Sequence, residues 1–191
     1  MLPTLIELQR LKGLDRTGWT LRGLASGTES VAAHSFGVVA TAMMLADEVK
    51  ERGVVLDTEK VLRMALLHDW AETRVGDMPK TATAYFGSEA RKRAEAAAFA
   101  DVIKDVGAGE PLYEALYMEY EERQSLEAGL VKAADIIDLL IQALALERAG
   151  ARGLNEFWEV LESGDFQLEG VAKQIVSEVL EALITARKAI Q

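Results

Sequence analysis

The stretch Leu66-Leu67-His68-Asp69-Trp70-Ala71-Glu72-Thr73 sets an imidazole beside a carboxylate inside an apolar, helix-forming run, and adds a second carboxylate three and four residues on. At helical spacing Glu72 rises over His68 and Asp69 on one face, so a single helix offers a neutral imidazole and two carboxylates to one point in space. Such a set holds a divalent cation or moves a proton. The same residues have an ordinary reading as a core histidine bonded to its neighbour, with Glu72 in solvent. Buried polar groups left without partners cost ~1–3 kcal/mol each, and proteins usually pair them.

The chain has two histidines. The other, His34, falls in the first turn of a second predicted helix. Asp135 interrupts a third, strongly apolar helix, where a carboxylate is expensive unless something cationic meets it. His34, His68, Asp69 and Asp135 thus come from three predicted core helices. Two imidazoles and two carboxylates suit a divalent transition ion: imidazole fits Fe, Co, Ni, Cu and Zn, while carboxylate admits Mn and Mg. Four protein ligands on an ion that prefers six leave room for water and a substrate oxygen.

These residues need elements to position them. Pro3 opens a first helix with Leu5, Ile6, Leu8 and Leu11 as its stripe, ending near Gly13. Residues 13–28 read as a loop that gathers Arg16, Trp19 and Arg22, with Lys12 at its edge; Trp19 is a hydrophobic anchor among solvated arginines, or part of a binding surface. Ser30 caps a long helix that stops at Gly53. Asp57 or Thr58 caps the helix that carries His68 and fails near Gly76 and Pro79, leaving Asp77 in the loop beyond. Residues 88–106 read as a surface helix rich in alanine and charge, 111–122 as another, 125–149 as the apolar helix of Asp135, 154–161 as a short helix and 168–190 as a closing amphipathic one.

Ala, Leu, Glu and Arg dominate, Pro is scarce and no alternating β-branched run occurs, so the fold class predicted is all-α. A chain of 191 residues suits one domain with one large core. The absence of cysteine excludes disulfides and thiolate chemistry. With no signal-like N-terminus and no apolar run of ~20 residues, the chain reads as a cytoplasmic protein without a membrane segment. A formal charge of −10 argues against nucleic acid and anionic membranes as partners. It also means that a small phosphate ligand would be repelled globally, so a cation must supply local positive potential. The apolar faces after Ser125, with Phe157 and Trp158 near their end, suit either a homodimer or ordinary core packing.

The order His34…His68-Asp69…Asp135 resembles the HD-domain metal-dependent phosphohydrolases. Four boxes are similar to the 5'-deoxynucleotidase branch of that family: Arg16-Thr17-Gly18-Trp19; Glu29-Ser30-Val31-Ala32 leading to His34; His68-Asp69-Trp70-Ala71-Glu72 leading to Gly76-Asp77; and Glu119-Tyr120-Glu121 leading to Val131-Lys132-Ala133-Ala134-Asp135. The likeness covers roughly residues 5–150 and implies a single HD-domain helical bundle over 1–191, its C-terminal helices from 151 onward carrying no motif. Ala33 stands where an acidic residue is common, which removes a charge near the metal. The resemblance implies one divalent ion (Co, Mn, Mg, Zn, Ni or Fe) held by His34, His68, Asp69 and Asp135. The substrate it implies is a small nucleotide. Glu72 would orient or deprotonate the attacking water, and Asp77 would act beside the scissile phosphate. Arg16 would grip the phosphate, with Lys80 a second candidate. Trp19 would pack against the sugar and leave a ribose 2'-hydroxyl without a partner, a preference for deoxyribonucleotides of about 5- to 150-fold.

Three other readings compete. Guanosine tetraphosphate hydrolases share the frame but carry an acidic residue after the glutamate, where this chain has Thr73. Two-metal phosphodiesterases need histidines beyond His34 and His68. A non-enzymatic, metal-containing nucleotide-binding scaffold would not require Glu72 and Asp77.

Overall fold

The structure is a computed structural model that describes residues 1–163 and 165–190, with the side chains of all of these except Lys80, Glu162 and Ser163. Among the described residues it is all-helical, with one isolated antiparallel bridge between Asp15 and Ser30. The chain forms two units, Met1–Ser35 with Leu66–Met118, and Phe36–Ala65 with Glu119–Gln191, so each draws on two separated stretches of sequence.

The first unit opens with α1 (Leu2–Leu8), which tightens into a 3-10 turn, Gln9–Lys12, and stops at Gly13. A short α2 (Thr17–Thr20) follows inside the stretch predicted as loop. The first turn of α3 (Val31–Glu51) and the end of α4 (Thr58–Leu67) belong to this unit. Then come α5 (Glu72–Val75), α6 (Lys80–Phe86), α7 (Ser88–Ile103) and most of α8 (Glu110–Glu122). Leu11, Trp19, Phe99, Val102, Ile103 and Tyr117 are buried here. The Phe99 and Tyr117 rings stack with centroids 3.9 Å apart and planes 10° from parallel. Thr4 Oγ1 donates to the Val102 carbonyl at 3.0 Å, which ties α1 to the end of α7.

The second unit holds the rest of α3 and α4, followed by α9 (Leu126–Arg148), α10 (Asn155–Trp158), α11 (Val160–Ser163) and α12 (Gly170–Lys188). Ser125 caps α9, its Oγ accepting from the Ala128 N–H at 3.2 Å, as a serine at that position should. The buried face of α9 runs from Ala128 to Leu144, and α12 packs on it with Ala172, Ile175 and Val176 buried. Arg187 of α12 pairs with Glu147 at 2.8 Å and lies 4.6 Å from the centroid of the buried Trp158 ring. The apolar faces after Ser125 are therefore largely spent on packing inside this unit.

Three expectations change. The helix carrying His68 ends at Leu67. From there Trp70 N–H bonds the Leu67 carbonyl, Glu72 that of Asp69 and Thr73 that of Trp70, at 3.0, 3.1 and 3.2 Å. These bonds span three residues rather than four, so the backbone winds tighter than an α-helix over the motif. Second, α7 is no mere surface helix, because Ala98, Phe99, Val102 and Ile103 are buried. Third, the short helix over 154–161 divides into α10 and α11.

A close approach in the second unit is open to test. A Cβ on Gly129 would stand 2.7 Å from Leu168 Cδ2 and 2.8 Å from the Phe166 carbonyl oxygen. Gly129→Ala must push backbone as well as side chain, so it should lower stability by ~1–3 kcal/mol. Guanidinium unfolding checks this, and an unchanged midpoint with an unchanged slope would refute the packing.

Candidate metal centre

The segments before α2 and α3 are stitched together. Val31 N–H bonds the Leu14 carbonyl at 2.8 Å and Arg16 N–H bonds the Glu29 carbonyl at 3.0 Å. Ser30 caps α3 as expected, its Oγ accepting from Ala33 N–H at 3.2 Å. His34 follows within that first turn, its own N–H bonded to the Ser30 carbonyl, and its ring is 1% exposed. His68, 6% exposed, begins the tight turn after α4. The two imidazole rings lie 5.6 Å apart by centroid, inclined at 64°.

Asp69 faces both. Its Oδ2 stands 3.2 Å from His68 Nε2 and 3.8 Å from His34 Nε2. A carboxylate oxygen and an unprotonated imidazole nitrogen repel each other at such distances unless a proton or a cation joins them. Two borderline nitrogen donors and one hard oxygen converging this way fit a divalent transition ion. Burial pushes the Asp69 carboxyl up, but the His68 ring, the Arg16 guanidinium and the His34 ring together hold it well below the usual carboxylate range. Arg16 Nη1 lies 3.4 Å from Asp69 Oδ2 and 3.7 Å from Asp77 Oδ1.

Glu72 completes the cluster, though not in the way helical spacing suggested. In a backbone closed by three-residue bonds, side chains at i and i+3 eclipse, which brings Glu72 over Asp69, whose charge acts on it. Glu72 is buried, and its Oε2 finds no hydrogen-bond partner among the described residues. Burial, then the charges of Asp69 and Asp77, push its carboxyl up to about 10, against the opposing pull of Arg16 and Arg91. With no added cation Glu72 thus carries its proton at neutral pH. An orphaned carboxyl oxygen beside a converging His-His-Asp set is a second reason that the residues fit an ion with water or ligand around it.

Asp77 follows Gly76, whose φ of 76° turns the chain out of α5. Its Oδ2 accepts from the Thr17 N–H at 2.5 Å and its carbonyl from Thr17 Oγ1 at 2.6 Å, so it caps α2 and fastens the Arg16-to-Trp19 box to the loop after Glu72. Trp19 is 1% exposed and its Nε1 donates to Glu29 Oε2 at 2.6 Å, which agrees with the anchor reading. Asp135 sits on α9 in the second unit, where Lys132 Nζ at 2.7 Å supplies the cation its burial calls for. Lys80 begins α6, but its side chain lies outside the described residues.

Sequence reasoning missed Glu29 and Thr17 as partners of the box, and it missed Arg91. Arg91 Nε pairs with Glu95 Oε1 at 2.7 Å on α7. Positions 91, 95, 99 and 102 share one helical face, and an ion pair continuing the line of Phe99 and Val102 was the available signal.

The state of Glu72 has a measurable consequence. Between its ordinary value of 4.5 and the folded value of about 10 the native protein keeps a proton that the unfolded chain has released. Stability from this group is therefore full below pH 4.5 and is lost as pH rises toward 10. In chelator, the melting temperature should fall more steeply from pH 5 to 9 than that of Glu72→Gln, which has no such proton. Parallel slopes in thermal melts would contradict the environment described.

A profile of the HD domain matches residues 8–167. A 5'-deoxynucleotidase of Danio rerio is 31% identical over 134 residues, covering 70% of this chain and 63% of that protein. One of Dictyostelium discoideum is 32% identical over 143 residues, 73% of either chain. A crystal structure of a protein from Pyrococcus horikoshii OT3 superposes with a TM-score of 0.79 at 35% identity, covering 100% of both chains. With a matched profile across residues 8–167, most of its length, the chain belongs to the HD-domain family.

Proposed function

We propose that this protein is a divalent-metal-dependent 5'-deoxynucleotidase, which hydrolyses the phosphate ester of deoxyribonucleoside monophosphates. The observation that carries the reading is the convergence of His34 Nε2 and His68 Nε2 on Asp69 Oδ2, with the buried Glu72 carboxyl beside them. The names of the relatives from Danio rerio and Dictyostelium discoideum support the substrate class. His34, His68 and Asp69 would hold the ion, and the sequence pattern assigns Asp135 as the fourth ligand. When bound, an ion of the Co, Mn, Mg, Zn, Ni or Fe type polarises a phosphoryl oxygen and acidifies water.

The chain's own residues do the rest. Arg16, already beside Asp69 and Asp77, offers planar donors to the phosphate oxygens. Lys80 is the second cation that the sequence suggests. Glu72 would give up its own proton once a divalent cation beside Asp69 offsets the charges that keep it there, and the carboxylate so released would take a proton from the attacking water. Asp77, fixed by Thr17, faces the leaving 5'-oxygen, which departs with the proton that Glu72 took from water as the phosphorus–oxygen bond breaks. Trp19 spends its indole N–H on Glu29, so the ring presents no donor to a ribose 2'-hydroxyl. Thr73, in the place where guanosine tetraphosphate hydrolases carry an acid, is buried and gives its hydroxyl to the Trp70 carbonyl at 2.8 Å, which speaks against that activity.

The HD-domain match draws on segments of both units, which supports reading them as one domain. No helix among the described residues is long and apolar enough to cross a membrane, in line with a cytoplasmic enzyme working on free nucleotides. Light scattering decides between the homodimer and the ordinary core packing that the sequence leaves open.

Phosphate release from a panel of deoxy- and ribonucleoside monophosphates, with Co, Mn, Mg and Zn supplied in turn, tests the reading. Deoxy substrates should be preferred by about 5- to 150-fold, and equal hydrolysis of AMP and dAMP would sink the role of Trp19. Glu72→Ala should keep its metal and lose roughly 100-fold or more in kcat. Asp69→Asn should lose metal and activity together, as elemental analysis and the same assay would report.

A further inference from the structure

A dianionic phosphate entering this cluster meets three carboxylates, Asp69, Glu72 and Asp77, in a chain of net charge −10. Arg16 answers part of that, but its Nη1 is already near both Asp69 and Asp77. A second arginine acts on two of the three, Glu72 and Asp77, from a different element. Arg91 lies in the first turn of α7, which packs against α5, the helix of Glu72, and against α6, the helix that follows Asp77. Glu95, Phe99 and Val102 continue its face down the helix, and the last two are buried, so this face is the inward one. The Arg91 side chain is 31% exposed and its paired Glu95 13%. Its positive charge is felt at Glu72 and at Asp77. The Nε–H goes to Glu95 at 2.7 Å, and the Nη1 and Nη2 groups have no hydrogen-bond partner among the described residues.

We propose that Arg91 is a substrate-binding residue that grips the phosphate together with Arg16, through the two Nη groups that its pair with Glu95 leaves open. Glu95 then serves as a positioning residue. By taking Nε it fixes the guanidinium plane, and the far edge of that plane is the one that matches two oxygens of a phosphate. Such an arrangement brings cationic donors in from α7, a helix with none of the family's motifs. The proposal rests on the phosphohydrolase reading for its substrate, and predicts a contact with the phosphate alone, indifferent to base and sugar.

The test uses the full chain loaded with cobalt or manganese. Inorganic phosphate is titrated calorimetrically into the unmodified protein, Arg91→Gln, Arg91→Lys and Glu95→Gln, and steady-state kinetics are run with dAMP and with deoxyribose 5-phosphate. Arg91→Gln should raise the phosphate Kd and both KM values by the same factor, about 10- to 100-fold, with kcat little changed. Arg91→Lys should recover part of the loss, since it keeps the charge without the planar fork. Glu95→Gln, which still accepts from Nε but without the charge, should weaken phosphate binding by clearly less than Arg91→Gln does. A phosphate Kd for Arg91→Gln within about twofold of the original overturns the proposal. So does a Glu95→Gln loss equal to that of Arg91→Gln, because that pattern belongs to a helix-stabilising pair. If Arg91→Gln does not fold by circular dichroism, Arg91→Lys decides: phosphate affinity unchanged from the original refutes a bidentate contact, and a weakened one upholds it. Failure of the unmodified protein to release phosphate from any nucleotide removes the phosphohydrolase reading, while the phosphate titration still decides Arg91.

Discussion

Two imidazole nitrogens facing one carboxylate oxygen at 3.2 and 3.8 Å need a shared proton or a cation among them. Much of the first unit is arranged around that need. Arg16, a cation beside Asp69, is delivered by a loop that must be held at both ends. The Leu14 and Arg16 backbone bonds to residues 31 and 29 secure one end, and the Thr17 bonds to Asp77 secure the other. His34 is one turn from the first of these attachments, and Asp77 is five residues from Glu72. The cluster is thus braced by backbone hydrogen bonds, which hold position more stiffly than long side chains do.

The same crowding explains the protonation of Glu72. A carboxyl that is buried beside Asp69 and Asp77 cannot ionise freely, because its charge would meet two others where water does not screen them. Asp69 escapes this fate by standing next to His68, Arg16 and His34. Two acids three residues apart therefore hold opposite states at neutral pH, one ionised and one a carrier of a proton. Pushing neighbouring pKa values apart is a common means of dividing acid and base roles within one site.

Much of this was legible in the sequence. The scarcity of proline and the 3.6-residue periodicity gave the helices, and Ser30 and Ser125 marked their starts because a serine oxygen can accept from the exposed N–H groups of a first turn. His34, His68 and Asp69 were legible from residue type and order, and the structure brings all three together. What pattern could not give was the winding after Leu67. Periodicity assumes one helical pitch, and Trp70, Glu72 and Thr73 bond three residues back instead of four, so the face on which Glu72 lies had to come from the backbone. Arg91 was missed because a run of alanine and charge in α7 resembles a solvated surface, and only tertiary packing reveals that Glu95 and Phe99 turn inward. Trp19 is a further case: an aromatic in a cationic loop gives no sign of its partner, and the bond from its N–H to Glu29 had to come from the structure.

The short ladder between residues 14–16 and 29–31 closes the intervening segment at its base. The crossing bonds fix where the chain leaves and re-enters, and the intervening stretch from Leu21 to Thr28 fastens to their base through Ser26 and Gly27, which bond the Asp15 carboxylate. Residues added or removed between Leu21 and Ala25 would change what the protein displays to its surroundings while leaving the register of the helix of His34 untouched. The stretch is consequently a natural place for divergence between relatives, whereas a single insertion between Ser30 and His34 would rotate the imidazole by about 100° and carry it off its partner.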